Sequence, residues 1–236
     1  MKIGEISWKD FERKDPSLAL LPAGSTEQHG PHGPMATDII IAEAIAERSA
    51  KMTETLLLPS IRIGVSREHA SFPGSLYLSP KVFRAQLRET ILSAHNSGIE
   101  KFVVVNGHGG NISSIQEACE TLYHDHGVKV LEWTWFNAIS AEQMGHAGEL
   151  ETSLIFYLRE ELIRNKPEKG ANSWGRKFHG TRIAYDTRIF TENGVVGDPT
   201  KATKEKGEEI FEESTEKLTS LINDFKNSSG SLFDPE

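Results

Sequence analysis

The stretch KFVVVNGHGGN, residues 101–111, decides the fold. From Phe102 to Val105 it is an unbroken apolar and largely β-branched run, the pattern of a strand buried on both faces rather than half-exposed. The glycine-rich turn after it marks the strand's carboxyl end. Working outward, residues 17–22 read as another short buried strand, TLLLPSIRIG (55–64) as a third and VKVLEWTWF (128–136) as a fourth. Helical patterns separate them. One runs over residues 37–48 with Thr37 and Asp38 as caps, one over 79–96 with Pro80 in its first turn and Gly98 closing it, and one over 112–125. A further helix follows Gly148, and residues 202–225 carry apolar positions at helical spacing beside a charged face. Residues 1–14 read as an edge element or short helix, and the tail from Asn227 as frayed. Strands alternating with helices predict an α/β protein with a parallel sheet covered on both faces.

A chain of 236 residues suffices for one sizeable core, which predicts a single domain over 1–236. With 37% apolar and 25% charged residues it is too apolar for disorder. The formal net charge of -8 argues against nucleic acid or an anionic membrane as main partner, and leaves a small-molecule substrate. A lone cysteine, Cys119, excludes an internal disulfide framework and fits a reducing compartment. With no apolar signal region at the N-terminus and no membrane-length apolar run, the expected location is the cytoplasm.

Chemistry concentrates in three places. The loop AGSTEQHGPHGPMATD (23–38) carries Glu27, His29, His32 and Asp38 between a strand and a helix. In an extended loop Glu27 and His29 project the same way and can reach one centre. Carboxylate and imidazole suit zinc, manganese or iron, and Asp38 has two oxygens with which to bridge two ions. The same residues read equally well as loop solvation. The turn 106–111 sets His108 between glycines at a carboxyl end of the sheet, where Gly109 and Gly110 allow a ligand to approach the backbone; the plainer reading is a tight turn with a bystander histidine. The segment HAGELETS (146–153) puts His146 and Glu149 three residues apart, with His146 suited to shuttling a proton and Glu149 to ligation, or both to a helix start. His69 and Ser75, in the loop of residues 65–80, are candidate substrate contacts. Trp133 and Trp135 read as core. Residues 166–198 form an irregular segment too long for an ordinary connection, which marks it as functional or as an oligomer contact. No Gly-x-Ser-x-Gly elbow supports a serine nucleophile.

Together, GSTEQHGPHGPMATD, EHASFPGSLYLSP, NGHGGN, HAGELETS and GVVGDPTKAT, five motifs in order from Gly24 to Thr203, resemble the creatininase (creatinine amidohydrolase) family. The resemblance implies a three-layer α/β/α sandwich with a mostly parallel sheet and two divalent ions, zinc, manganese or iron. By position, Glu27 and His108 would hold one ion and His29 the other, with Asp38 bridging. Creatininase itself adds a glutamate two residues after the motif's histidine, with a tyrosine between; Gly110 and Gly109 stand there in this chain. Glu149 is the candidate for the missing ligand, and creatinine itself is disfavoured as substrate. The implied activity is hydrolysis of a C–N bond in a small linear or cyclic amide (creatinine-like, formamide or short peptide), classed with the hydrolases of non-peptide C–N bonds. A water activated by the ions attacks the carbonyl, backbone N–H groups of Gly109 and Gly110 meet the oxyanion, and His146 protonates the leaving nitrogen. The alternatives are hydrolysis of a C–C bond in a cyclic dicarbonyl sugar, and a non-catalytic metal- or nucleotide-binding protein on the same scaffold. Homo-oligomers, hexamers among them, are common in the family and are expected here.

Overall fold

The computed structural model describes residues 1–139 and 144–228. In chain order the elements are α1 (Trp8–Lys14), β1 (Leu18–Ala23), α2 (Thr37–Met52), β2 (Leu56–Leu57), α3 (Pro80–His95), β3 (Lys101–Asn106), α4 (Ile112–His126), β4 (Lys129–Thr134), α5 (Trp135–Ala138), α6 (Glu149–Arg159), β5 (Arg176–Phe178), β6 (Thr181–Ile183) and α7 (Lys204–Asn227). The main sheet is parallel with order β2-β1-β3-β4, and β5 and β6 form a separate antiparallel hairpin.

Side chains of successive strand residues go to opposite faces, and each face has its own core. Leu18, Leu20, Val103 and Val105 pack with Ile41, Ile45, Leu154, Ile210, Leu218 and Phe225, from α2, α6 and α7. Ala19, Leu21, Phe102 and Val104 pack with Phe83, Leu87, Ile91, Ile115, Ala118 and Leu122, from α3 and α4. This is the expected α/β/α sandwich, and it explains why the strands read as continuous apolar runs. Among the described residues no helix is long and apolar enough to cross a membrane.

The register positions the site. Ala23 pairs with Asn106, and Asn106 with Thr134, so three strands end level and their loops emerge side by side. The chain leaves β1 toward β2 on one side while β3 lies on the other, which opens a crevice at the carboxyl ends where α/β sheets bind ligands.

Several local expectations change. The strand expected over 55–64 is regular only at Leu56–Leu57: Leu58 donates to the Leu20 carbonyl and Ile61 to the Pro22 carbonyl, each at 2.9 Å, so three residues here span two of β1 and the ladder is bulged around Pro59. The strand expected over 128–136 ends at Thr134 and turns into α5. Helix α2 extends to Met52, and its N-cap is Ala36; neither Thr37 nor Asp38 caps it. The tail from 229 lies outside the described residues, while Asn227 ends α7 and the Ser228 carbonyl accepts from Lys101 Nζ at 2.9 Å. The long segment over 166–198 contains the β5–β6 hairpin.

Phe102 is fully buried at the centre of the α3–α4 face. Phe102→Ala is expected to cost about 3–5 kcal/mol, read as a lower urea midpoint; a loss below about 1 kcal/mol would contradict this core assignment.

Candidate metal centre

Glu27, His29, Asp38, His69, His108, His146 and Glu151 converge, each 5% exposed or less, at the carboxyl edge of the sheet. Asp38 sits in the first turn of α2 with its side chain turned inward. Its Oδ1 lies 3.1 Å from His29 Nε2 and its Oδ2 3.1 Å from His108 Nδ1. One carboxylate therefore addresses two imidazoles with different oxygens. Glu27 Oε1 lies 3.4 Å from His108 Nδ1, 3.3 Å from His69 Nε2 and 3.7 Å from His146 Nδ1. Glu151 Oε1 is 3.8 Å from His29 Nε2.

Backbone carbonyls orient the two rings that face Asp38. His29 Nδ1 donates to the Glu27 carbonyl at 3.1 Å, which turns Nε2 to the cluster. His108 Nε2 donates to the Val65 carbonyl at 3.0 Å, which turns Nδ1 inward. Metal-bound histidines are held in this way, through the nitrogen away from the ion. Both oxygens of Glu27, and Asp38 Oδ2, are buried without a hydrogen-bond partner. Unpaired buried carboxylate oxygens are costly, and a cation among them would remove that cost. The donor set thus fits divalent ions, and three tight His/carboxylate groups occur here: Glu27–His29–Asp38, His29–His146–Glu151 and Glu27–His69–His146.

The titrations divide the cluster. Burial opposes the charged forms of Glu27, Asp38, His29, His69, His108 and His146, and their neighbours decide the outcome. Burial pushes Glu27 up to about 8 against the pull of His108. For Asp38, His29 and His108 outweigh burial and hold the carboxyl well below its usual range. His108 is raised to about 10 despite burial, by Glu27 and Asp38, and His29 is raised by Asp38 and Glu151. His69 and His146 go the other way: burial, reinforced by neighbouring imidazolium charge, lowers His69 to about 3 and His146 well below its ordinary value. Those two are neutral.

Gln28 sets their tautomers. Its Oε1 accepts from Gly30 N at 2.9 Å, so its amide hydrogens point to the Gly194 carbonyl at 3.0 Å and to His69 Nδ1 at 2.9 Å. His69 Nδ1 also lies 3.1 Å from the Thr187 hydroxyl, and its Nε2 faces Glu27. His146 Nε2 donates to the Gln28 carbonyl at 2.7 Å, leaving the Nδ1 lone pair facing the cluster.

The third motif needs a correction. Glu149 is 30% exposed at its side chain and ion-paired with Lys206 at 2.6 Å, outside the cluster. The acid brought in is Glu151, whose Oε2 accepts from Ala147 N at 2.5 Å. Two residues apart on a helix means about 200° of rotation, so when Glu151 faces inward Glu149 faces out. The spacing between His146 and Glu149 did not apply because His146 precedes the helix, in a bridge to Val196. Ala147, which follows His146, has φ 51, a strained left-handed conformation, and its N–H is the donor to Glu151.

The cavity above the cluster, about 430 Å³, is walled by Glu68, His69, Gly109, Gly110, Phe136 and Trp174, among others. His69, Gly109 and Gly110 thus line it as expected. Ser75 does not: its hydroxyl accepts from Gln28 N at 3.1 Å and braces the loop from outside. His32 is buried against α6, 3.0 Å from the Thr152 hydroxyl. A Cβ on Gly110 would lie 2.2 Å from the Val65 carbonyl oxygen, so this backbone admits no side chain where creatininase carries its glutamate. Trp174, Glu68, Gln28 and Glu151 were not singled out from sequence. For Trp174 the sequence signal is the length of its segment; Glu151 stands in the third motif, two residues after Glu149.

The family model described as "Creatininase: Creatinine amidohydrolase" matches residues 4–222. The mycofactocin precursor peptide peptidase of Mycobacterium ulcerans is 34% identical over 88% of this chain and 84% of its own length. The protein of the same name from Mycolicibacterium smegmatis is 32% identical over 83% of this chain and 80% of its own. Among solved structures, one named "Creatininase Mn" superposes with a TM-score of 0.82, covering 96% of this chain and 99% of that one at 21% identity, a likeness of fold. The motif order, the α/β/α frame and the match across 4–222 agree, and the chain belongs to the creatininase family of hydrolases.

Proposed function

We propose that this protein is a metal-dependent amidohydrolase that cleaves an amide bond within a peptide. The observation that carries the metal half of this reading is the Asp38 carboxylate, with one oxygen toward His29 and the other toward His108, beside a Glu27 whose two oxygens are buried and unpaired. Glu27, Asp38 and His108 make one donor set; His29, Asp38 and Glu151 make a second that shares Asp38. Imidazole and carboxylate without thiolate suit zinc, manganese or iron, and the name of the manganese creatininase of the same fold is in keeping. Divalent ions bound there supply Lewis acidity, polarising a carbonyl and lowering the pKa of a water.

The chain's own groups do the rest. His146, neutral and with its Nδ1 lone pair turned inward, takes a proton from the attacking water and passes it to the leaving nitrogen. Its low pKa means that it holds this proton only in transit. Backbone N–H groups at Gly109 and Gly110 meet the charge that develops on the carbonyl oxygen. Phe136 and Trp174 wall the cavity with apolar surface that excludes bulk water.

Two observations favour the short peptide among the expected amides over the non-peptide class. The relatives at 32% and 34% identity are named as peptidases. A cavity of about 430 Å³ lies in the range that encloses drug-sized ligands and exceeds what a cyclic amide of a few heavy atoms fills.

Glu151→Ala is expected to bind fewer ions by elemental analysis and to lose at least about 100-fold in turnover, whereas Glu149→Ala stays within about twofold of wild type for both. Equal effects of the two would sink the ligand assignment. Ion binding must displace the proton that Glu27 and Asp38 hold on His108, raised to about 10, so affinity rises with pH. A chelator-competition titration between pH 6 and pH 8 should show at least about a tenfold gain per unit, since Glu27, raised to about 8, also gives up a proton; a flat profile would count against Glu27 and His108 as ligands.

A further inference from the structure

A second groove borders the cavity over the cluster. That groove, about 530 Å³, is lined by Arg67, Glu68, Trp174, Ala184 and Tyr185, and it shares Glu68 and Trp174 with the cavity over the cluster. The turn Arg67–His69 serves both: His69 walls the cavity and Arg67 the groove. Thr187 fixes this turn by donating its hydroxyl to the Glu68 carbonyl at 2.9 Å.

Arg67 is exposed and has no ion-pair partner among the described residues. Nearby Arg188 is otherwise engaged, donating from Nε to the Ser71 carbonyl at 3.2 Å and stacking over Phe72 at 4.3 Å. Tyr185 is 81% exposed, an unusual state for a large aromatic at a cavity wall. The β5–β6 hairpin leading to it carries Arg176, Lys177 and Arg182, and residues 175–185 contain no acid. These cations do not line the groove itself, where Arg67 is the cation and Glu68 the acid, and Glu68 Oε1 lies 4.0 Å from His108 Nε2 in the neighbouring cluster.

We propose that this groove binds a carboxylate-bearing segment of the peptide whose amide bond lies over the cluster, with Arg67 taking the carboxylate and Tyr185 and Trp174 flanking the chain. This rests on the peptide reading of the proposed function. A guanidinium is the side chain best shaped to take a carboxylate in a two-point contact, and exposed aromatics beside it offer the backbone a flat apolar surface. The carboxylate is either the peptide's C-terminus or an Asp or Glu side chain.

The test uses the metal-loaded protein and three dye-labelled hexapeptides. One is Gly-Ser-Gly-Ser-Ala-Phe with a free C-terminus, one is its C-terminal amide, and one is the amide with Asp replacing the second Ser. Binding is read by fluorescence anisotropy and cleavage by mass spectrometry. At least one carboxylate probe is expected to bind about tenfold more tightly than the neutral amide, and the tighter of the two identifies the source of the carboxylate. Arg67→Ala should bring all three within about twofold, and Arg67→Lys should restore part of the preference, since it keeps the charge but not the fork. Equal binding of all three by the wild type, or a preference that survives in a folded Arg67→Ala protein, overturns the groove assignment. A carboxylate preference without cleavage of any probe instead counts against peptide hydrolysis and leaves the groove standing.

Discussion

Everything at the carboxyl edge of the sheet depends on one carboxylate, that of Asp38, being held in a dry place between two imidazoles. Helix α2 begins one residue earlier, so the side chain sits where the helix's exposed N–H groups favour negative charge. Strand β3 must then bring His108 close enough to meet it, and Gly107 makes that approach feasible. A Cβ at 107 would lie 2.1 Å from the Asp38 carbonyl oxygen, a collision that backbone atoms cannot relieve. Asn111 ties the same corner together, donating to the Gly24 carbonyl at 3.0 Å and accepting from Val65 N at 2.9 Å. Three loops from three strands are thereby clamped around a single anion.

The histidines separate into two kinds by what surrounds them, not by burial, which they share. His29 and His108 contact Asp38 and keep a high proton affinity; His69 and His146, whose near carboxylate is Glu27, lose theirs to burial and to neighbouring imidazoles. Groups of one chemical type pushed in opposite directions within one cavity are the usual sign of divided roles. Here the division fits two rings that hold a cation and two that handle a proton or a substrate.

Much of this was legible in the sequence, for identifiable reasons. Strand β3 is apolar on every residue from Phe102 to Val105, so its burial on both faces could be read directly. Glu27, His29, Asp38 and His108 stood out because loops at strand ends concentrate chemistry. What failed was local geometry. Asp38 has the composition of a helix cap, yet tertiary contacts turn it inward. Glu149 and Glu151 are chemically alike, and only the starting angle of α6, set by the turn at Ala147, chooses between them. The two-residue strand β2 reflects an extra residue between Leu58 and Ile61, which shifts its pairing with β1. Trp174 lies far along the chain from every motif, and no short-range pattern points to its place in the cavity.

The segment after α6 has little core of its own and is laced onto the site by long-range bonds. Val196 and His146 exchange both backbone hydrogen bonds, at 2.9 and 2.8 Å, and Gly194 accepts from Gln28 across 166 residues of chain. Contacts so distant in sequence close late, because the loop entropy must be overcome before they contribute. During synthesis the strands and the Glu27 loop emerge first, while Gln28 and His146 lack the partners that orient them until Val196 has left the ribosome. The cluster therefore takes its final shape only after Val196 has emerged, and the sheet face beneath it is covered only after α7 has followed.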